Sequence, residues 1–251
     1  MATIRSLELQ GIVISSVDYK ESSKILKIFT REKGIISIMA RGAKRAKSKM
    51  QNLTSIYTLA KFTLNRREDF YYLEDGVILE LNLHLRNDIK SIYATQLCLE
   101  LINRAVIENE PQQDIFDLLV KTIKFLETAK NKHRLISMFL IKYISLMGYR
   151  PRLAQCVVCS NKDIEKKGFS IEYGGICCIN HTIPYSILNK NEYNYLLYIM
   201  YQRLDDVDKI DSDEIDVDER KINRMLLDFV QNKLEINRLT VFKAYQNFCL
   251  N

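Results

Sequence analysis

The chain holds only three histidines, three prolines and eight glycines in 251 residues, and the scarcity of each narrows what it can do. Two of the histidines, His84 and His133, have no cysteine, serine or carboxylate constellation nearby in sequence, so no nucleophile–base pair is in view. A zinc deaminase would need H-x-E ahead of P-C-x-x-C, and neither occurs. The glycines form no G-x-x-x-x-G-K and no G-x-G-x-x-G, which removes phosphate-cradling loops and dinucleotide folds. Acidic pairs such as Asp205-Asp206 fall in a polar run without the apolar surroundings that shift a carboxylate pKa. No apolar run approaches a membrane span. Leu9 to Val17 is too short and too polar for a signal segment, with Gln10, Ser15 and Ser16 inside it. These absences describe a cytoplasmic binding protein rather than an enzyme.

Cysteine is where the sequence is specific. Cys156-Val-Val-Cys159 and Cys178-Ile-Asn-His181 give C-x2-C-x18-C-x2-H, two knuckles that could hold one Zn²⁺ in a closed tetrahedral set. Four protein ligands leave no open position for water, so the site is structural. Gly168 and Gly174-Gly175 flank Phe169–Tyr173, which reads as a strand of a short hairpin between the knuckles. Pro151 and Pro184 bracket this module at about 152–184. Cys177 adjoins Cys178 and competes with it on paper; the C-x-x-H spacing favours Cys178. Six unrelated cysteines and a thioredoxin-like pair are the other readings, the latter disfavoured because no βαβ pattern surrounds Cys156. Cysteines of this kind without a secretory signal argue for a reducing compartment.

Residues Leu7 to Leu81 predict β-structure. Gly11–Ser15, Lys24–Phe29, Ile35–Met39, Ile56–Leu64 and Phe70–Leu73 are rich in branched and aromatic residues, with Glu32-Lys33-Gly34 and Arg67-Glu68-Asp69 as turns. Val77 to Leu83 extends the last strand. Five short strands in about eighty residues suggest a small barrel, which leaves no sheet edge exposed. From Asn87 the period becomes helical, with stripes at Ile89–Ala105, Ile115–Leu126 and Leu135–Met147, the last closed by Gly148 and Pro151. Asn189 and Glu192 form a capping box for a further helix, and Ile222–Val230 and Val241–Phe248 give two more. Asp205–Glu219 is acidic with one lysine, Lys209, and reads as a solvated, mobile loop. The expected architecture is α+β: a five-stranded N-terminal barrel over 1–82, then an all-α domain over 83–251 with the zinc module inserted.

The net charge of +6 is concentrated. Arg41-Gly-Ala-Lys-Arg-Ala-Lys-Ser-Lys49 carries five cations and no anion, leaving the third strand through Gly42. A flexible cationic loop suits a polyanion, because each phosphate contact releases counterions. Arg41, Lys44, Arg45, Lys47 and Lys49 are therefore candidate nucleic-acid contacts, and Lys24, Lys33, Arg66 and Arg67 are candidates for the same face. Tyr57, Phe62, Tyr71 and Tyr72 are candidate stacking surfaces for bases, against the commoner role of strand aromatics as core.

Two stretches resemble a known family. One is Gly11-Ile-Val-Ile through Tyr19, Glu21 and Ser23 to Ile25-Leu26, Ile28-Phe29-Thr30 and Gly34, running into Met39-Ala-Arg-Gly-Ala-Lys44. The other is Met147-Gly-Tyr-Arg-Pro-Arg-Leu-Ala-Gln-Cys156 with Cys159, Phe169-Ser170 and Gly174-Gly-x-x-Cys178. Together they resemble the RecO family of bacterial DNA-repair proteins, over nearly the whole chain and in order. The resemblance implies an OB-fold barrel, a helical domain with a zinc finger, and a recombination mediator that binds single- and double-stranded DNA and anneals complementary strands. Implied partners are RecR, the acidic C-terminal tail of single-strand-binding protein and, indirectly, RecA. Lys121, Lys124 and Arg134 are candidates for the tail contact. The implied metal ligands are Cys156, Cys159, Cys178 and His181, where the family usually has a fourth cysteine in place of His181. Two other readings stay open: a zinc-stapled adaptor for RNA or protein, and a zinc hydrolase with an open metal position.

Overall fold

In the first eighty residues the inward-facing side chains are branched or aromatic, and pleating puts them on one side of a sheet that curls onto itself. A computed structural model describes residues 6–45, 48–67, 70–180, 185–209, 217–236 and 240–250. It divides into two compact units, Met1–Asn87 with Leu99–Asp117, and Asp88–Cys98 with Leu118–Asn251.

The first unit contains β1 (Ser6–Tyr19), β2 (Ser23–Thr30), β3 (Gly34–Ala40), a one-turn helix α1 (Met50–Leu53), β4 (Leu59–Arg67) and β5 (Phe70–Glu80). The strands close in the order β1-β2-β3-β5-β4, with β3 and β5 parallel and the other pairs antiparallel. This is an OB-fold barrel. β1 serves two neighbours: its first half pairs with β4 and its second with β2, and the pairing with β2 shifts register between Val13 and Ser15. Leu9, Val13, Leu26, Ile28, Ile36, Ile38, Phe62, Leu64 and Leu73 fill the interior, joined by Leu53 of α1.

Two boundaries differ from the sequence reading. β4 begins at Leu59 rather than Ile56, because Tyr57 takes φ 75° in the turn before it. α1 is an addition to the expected elements, since four residues carry no readable period. The expected extension of the last strand reaches Glu80, and Leu83 opens a 3-10 turn.

Residues 99–117 complete this unit. Phe116 packs edge-on against Phe29 at 5.6 Å, Lys27 pairs with Glu108 at 2.8 Å, and Arg31 meets Asp117 at 3.0 Å. Gly34, at φ 65°, lies so close to Glu110 that a Cβ would sit 2.0 Å from its carbonyl oxygen, so no other residue fits there.

The second unit is helical. α2 (Ile89–Ala105) and α3 (Gln113–Thr128) contribute to both units, and α4 (Lys132–Leu146), α5 (Lys190–Tyr201), α6 (Glu219–Lys233) and α7 (Thr240–Cys249) belong to the second. α4 is buried along most of its length, and its packing with α6 forms the centre. Asn131 caps α4, Asp218 caps α6, and both halves of the Asn189–Glu192 capping box on α5 are made. A small sheet, β7-β6-β8, comprises β6 (Lys167–Ser170), β7 (Gly175–Cys178) and β8 (Ser186–Leu188). The hairpin is present, but its first strand stops at Ser170, since the chain turns over 171–174 through Gly174 at φ 71°. β8, three residues long, is too short to register as a pattern in the sequence.

The described ends of the acidic run are held in place rather than free. Leu204 and Val207 are buried, the Asp208 carboxylate accepts from the Lys130 amide, and Glu219 opens α6 while binding Arg134. Its centre, 210–216, lies outside the described residues. No helix among those described is long and apolar enough to cross a membrane.

Candidate nucleic-acid interface and metal centre

Strand register places one apolar row on the outside of the barrel. Val17 lies opposite Ile25, Ile25 opposite Met39, and Met39 opposite Tyr72, crossing β1, β2, β3 and β5. Val17 is 60% exposed and the other three are half-buried. Farther along β2 and β3 the same outer face is covered, because Phe29 lies under Phe116 and Ile35 bridges to Glu108. The row is not visible in sequence, since it requires knowing which residues of four strands are level.

Cations gather at one end of it. The Arg41 guanidinium lies 4.5 Å from the Tyr72 ring centroid, and that of Arg67 lies 5.7 Å from the same ring. Arg66 lies 5.8 Å from Tyr71. A guanidinium over an aromatic face is held by the ring quadrupole without losing its charge. Arg41 thus converges with Arg67, distant in sequence, because β3 runs beside β5 and β4 pairs with β5, whereas Arg66 lies by Tyr71 on the other face of β5. Arg45 and Lys49 are exposed on the segment after β3, and Lys47 lies outside the described residues.

Lys44 and Lys24 are tempered by a carboxylate. Lys44 pairs with Asp18 at 2.8 Å, and Lys24 lies opposite Asp18 across the β1–β2 ladder. The hydrogen bond from Lys44 holds the Asp18 carboxyl below its usual range, aided by the charge of Lys24. Lys33 does not join this cluster. It sits in the β2–β3 turn, whereas Arg41 follows the opposite end of β3, roughly 25 Å away at the usual rise per strand residue.

The stacking candidates also separate. Phe62 is fully buried, Tyr71 packs partly against the core, and Tyr57 is half-buried in a turn. Phe70, not singled out in sequence, is 62% exposed at the start of β5. Of the tail-contact candidates, Lys124 is exposed and Lys121 lies 3.8 Å from Asp205. Arg134 is buried against Glu219, so it cannot meet a partner at the surface.

In the second unit the ligand atoms of Cys156, Cys159 and Cys178 lie within 4.8 Å of one another. Cys159 and Cys178 have their sulfurs 3.8 Å apart. Zn–S bonds of about 2.3 Å in a tetrahedron put sulfurs about 3.8 Å apart, so the spacing fits one shared ion. The amides of Val158 and Cys178 donate to the Cys156 sulfur at 3.4 and 3.3 Å. Burial alone would raise this thiol's pKa, but the amides around it outweigh burial and bring it to about 6. A thiolate held by backbone N–H groups is the ligand form a metal needs.

The local fold sets the cysteines up. Val157 donates its amide to the Ile176 carbonyl, and Arg152 bridges to Gly175. A Cβ on Gly175 would sit 2.2 Å from the Arg152 carbonyl oxygen, so the glycine lets the first knuckle close onto β7. Adjacent residues of a strand face opposite sides, and while Cys178 turns toward the cluster, Cys177 is fully buried and outside it. Three close cysteines that could bind a metal ion are therefore present; His181 lies outside the described residues.

Comparison with known proteins matches both halves of the chain. Residues 1–82 match the family described as Recombination protein O N terminal, and residues 86–241 match Recombination protein O C terminal. The chain is similar to the DNA repair protein RecO of Halalkalibacterium halodurans, at 34% identity over 67% of this chain and 66% of that protein. It is similar to the protein of that name from Acetivibrio thermocellus, at 25% identity over 92% of this chain and 93% of the other. The Bacillus pumilus protein is 30% identical over 69% of this chain and 68% of its own. An OB-fold barrel with a cationic corner, a helical unit with a cysteine cluster, and matches along the length of both place this chain in the recombination protein O family, RecO.

Proposed function

We propose that the protein acts in DNA repair and homologous recombination as a mediator, binding single- and double-stranded DNA, annealing complementary strands and, with RecR, helping to load RecA on DNA coated by single-strand-binding protein. The observation that carries this reading is the convergence of Arg41 and Arg67 on Tyr72, at one end of the outward-facing apolar row of the barrel. Oligonucleotides bind OB-folds on the face of the second and third strands and the adjoining loops, where this row lies.

Annealing needs two polyanions brought together with their base edges free. Arg41, Lys44, Arg45, Lys47, Lys49, Arg66 and Arg67 screen phosphates, with Lys24 behind them, and no bond is made or broken, so we read the protein as a non-enzyme. In this proposal residues 1–82 are the DNA-binding domain and 83–251 the helical domain that carries partner contacts, including the acidic tail of single-strand-binding protein. Cys156, Cys159, Cys178 and His181 would hold one Zn²⁺, which supplies a cross-link between two knuckles rather than reactivity. The place of action is the bacterial cytoplasm, at the nucleoid.

The test is annealing of complementary strands coated with cognate single-strand-binding protein, comparing wild type with an Arg41→Ala/Arg45→Ala/Arg67→Ala variant. Annealing that depends on these three side chains supports the mediator reading. Absence of annealing by the wild-type protein overturns it in favour of a zinc-stapled adaptor.

A further inference from the structure

We propose that Phe70 is a base-stacking platform that makes the barrel prefer single-stranded to double-stranded DNA. This rests on the reading of the barrel as a DNA-binding face and assigns a discriminating role to one residue on it.

The aromatic side chains at this corner are not equivalent. Tyr72 already carries two guanidiniums, Arg41 and Arg67, within cation–π range. It is a positioning residue, holding charges from two different strands in one place. Tyr71 has Arg66 near its ring and lies partly against the barrel core. Phe62 is wholly inside. Phe70, 62% exposed, has neither a ring nor a cation over its face among the described residues.

Its position continues the interface. Phe70 and Tyr72 are two apart on β5, so they share the outer face, and the row from Tyr72 through Met39 and Ile25 to Val17 runs away from them. Phe70 lies opposite Arg67 in the β4–β5 hairpin. A phenyl face is thus offered within reach of the cations that would hold a phosphodiester backbone.

Base faces are open in a single strand and closed by their stacked neighbours in a duplex, whereas phosphates are offered by both. The cations therefore bind either form, and an exposed ring beside them rewards only the form with free bases. A partner of this chemistry, anionic along its backbone and aromatic along its side, fits the corner better than an acidic peptide, which brings the charge without the flat rings.

The chain has no tryptophan, so Phe70→Trp creates a single indole fluorophore at the position in question. Full-length wild type, Phe70→Ala and Phe70→Trp would be titrated with an oligo-dT strand, with a duplex of equal length and with an acidic peptide. Phe70→Ala should reduce the single-strand-over-duplex preference by about tenfold, the size expected for the loss of one stacked base. The indole emission of the Phe70→Trp protein should be quenched by oligo-dT and not by the peptide. An unchanged preference, oligo-dT binding without quenching, or quenching by the peptide instead would overturn the assignment. If the wild-type protein binds neither DNA, the DNA-binding reading itself fails and this proposal falls with it.

Discussion

Arg134 is 1% exposed, and its guanidinium donates to one oxygen of Glu219 at 2.7 and 3.1 Å and to the Val207 carbonyl at 3.1 Å. The pair joins α4 to the first turn of α6 across 85 residues. Removing one member of a buried ion pair strands the other, at about 3–5 kcal/mol, whereas replacing both with apolar groups is often close to neutral. Glu219→Leu should thus lower stability in denaturant unfolding by about 3 kcal/mol. Arg134→Leu/Glu219→Leu should lose less than either single variant. A double variant as unstable as the sum of the singles would contradict this account.

The cysteine cluster gives a second expectation. Purified protein should carry one zinc per chain by elemental analysis, and Cys156→Ser or Cys178→Ser should abolish it. Cys177→Ala should keep the metal while losing some stability, because Cys177 is buried and outside the cluster. Chelation should lower the Tm of wild type and leave Cys156→Ser unmoved. Loss of zinc from Cys177→Ala would mean that the knuckle has a different register.

The contrast between Cys178 and Arg134 shows what was legible in the sequence. C-x-x-C spacing is a local signal: a turn of four residues decides it, and the structure brings Cys156, Cys159 and Cys178 together. Strand alternation is equally local, so the barrel strands could be read while their ends, set by the turn at Tyr57 and by the helix α1, could not. Arg134 reads as a surface cation because its neighbours in sequence are silent about Glu219. The same applies to Phe70 and the row from Val17 to Tyr72, where exposure and alignment are properties of four strands at once.

A third expectation concerns acid. Asp88 caps the start of α2, accepting from the Lys90 and Ser91 amides, and it is paired with Lys132. Burial works against its ionisation, but the Lys132 and Ser91 hydrogen bonds outweigh burial and hold the carboxyl far below the ordinary value of 3.8. A carboxyl depressed in the folded state stabilises it fully above the unfolded pKa, and the contribution is lost as pH falls toward the folded value. Wild type should therefore lose stability below about pH 4 more steeply than Asp88→Asn, which has no charge to lose. Parallel pH–stability curves for the two would remove Asp88 from the account.

The cationic corner makes the last prediction, and it turns on position rather than number of charges. Removing one phosphate contact should reduce the slope of log affinity against log salt by about 0.7 for a single strand. Arg41→Ala and Arg67→Ala should each show that reduction, because both guanidiniums sit over Tyr72. Lys33→Ala removes the same charge from the far end of β3 and should leave the slope alone. Tyr72→Leu changes no charge, yet it removes the surface that gathers the two arginines, so it should weaken binding while Tyr72→Phe, which keeps the ring, restores it. If all three charge variants shift the slope equally, binding follows net charge, and the corner built by β3, β4 and β5 has no special part in it.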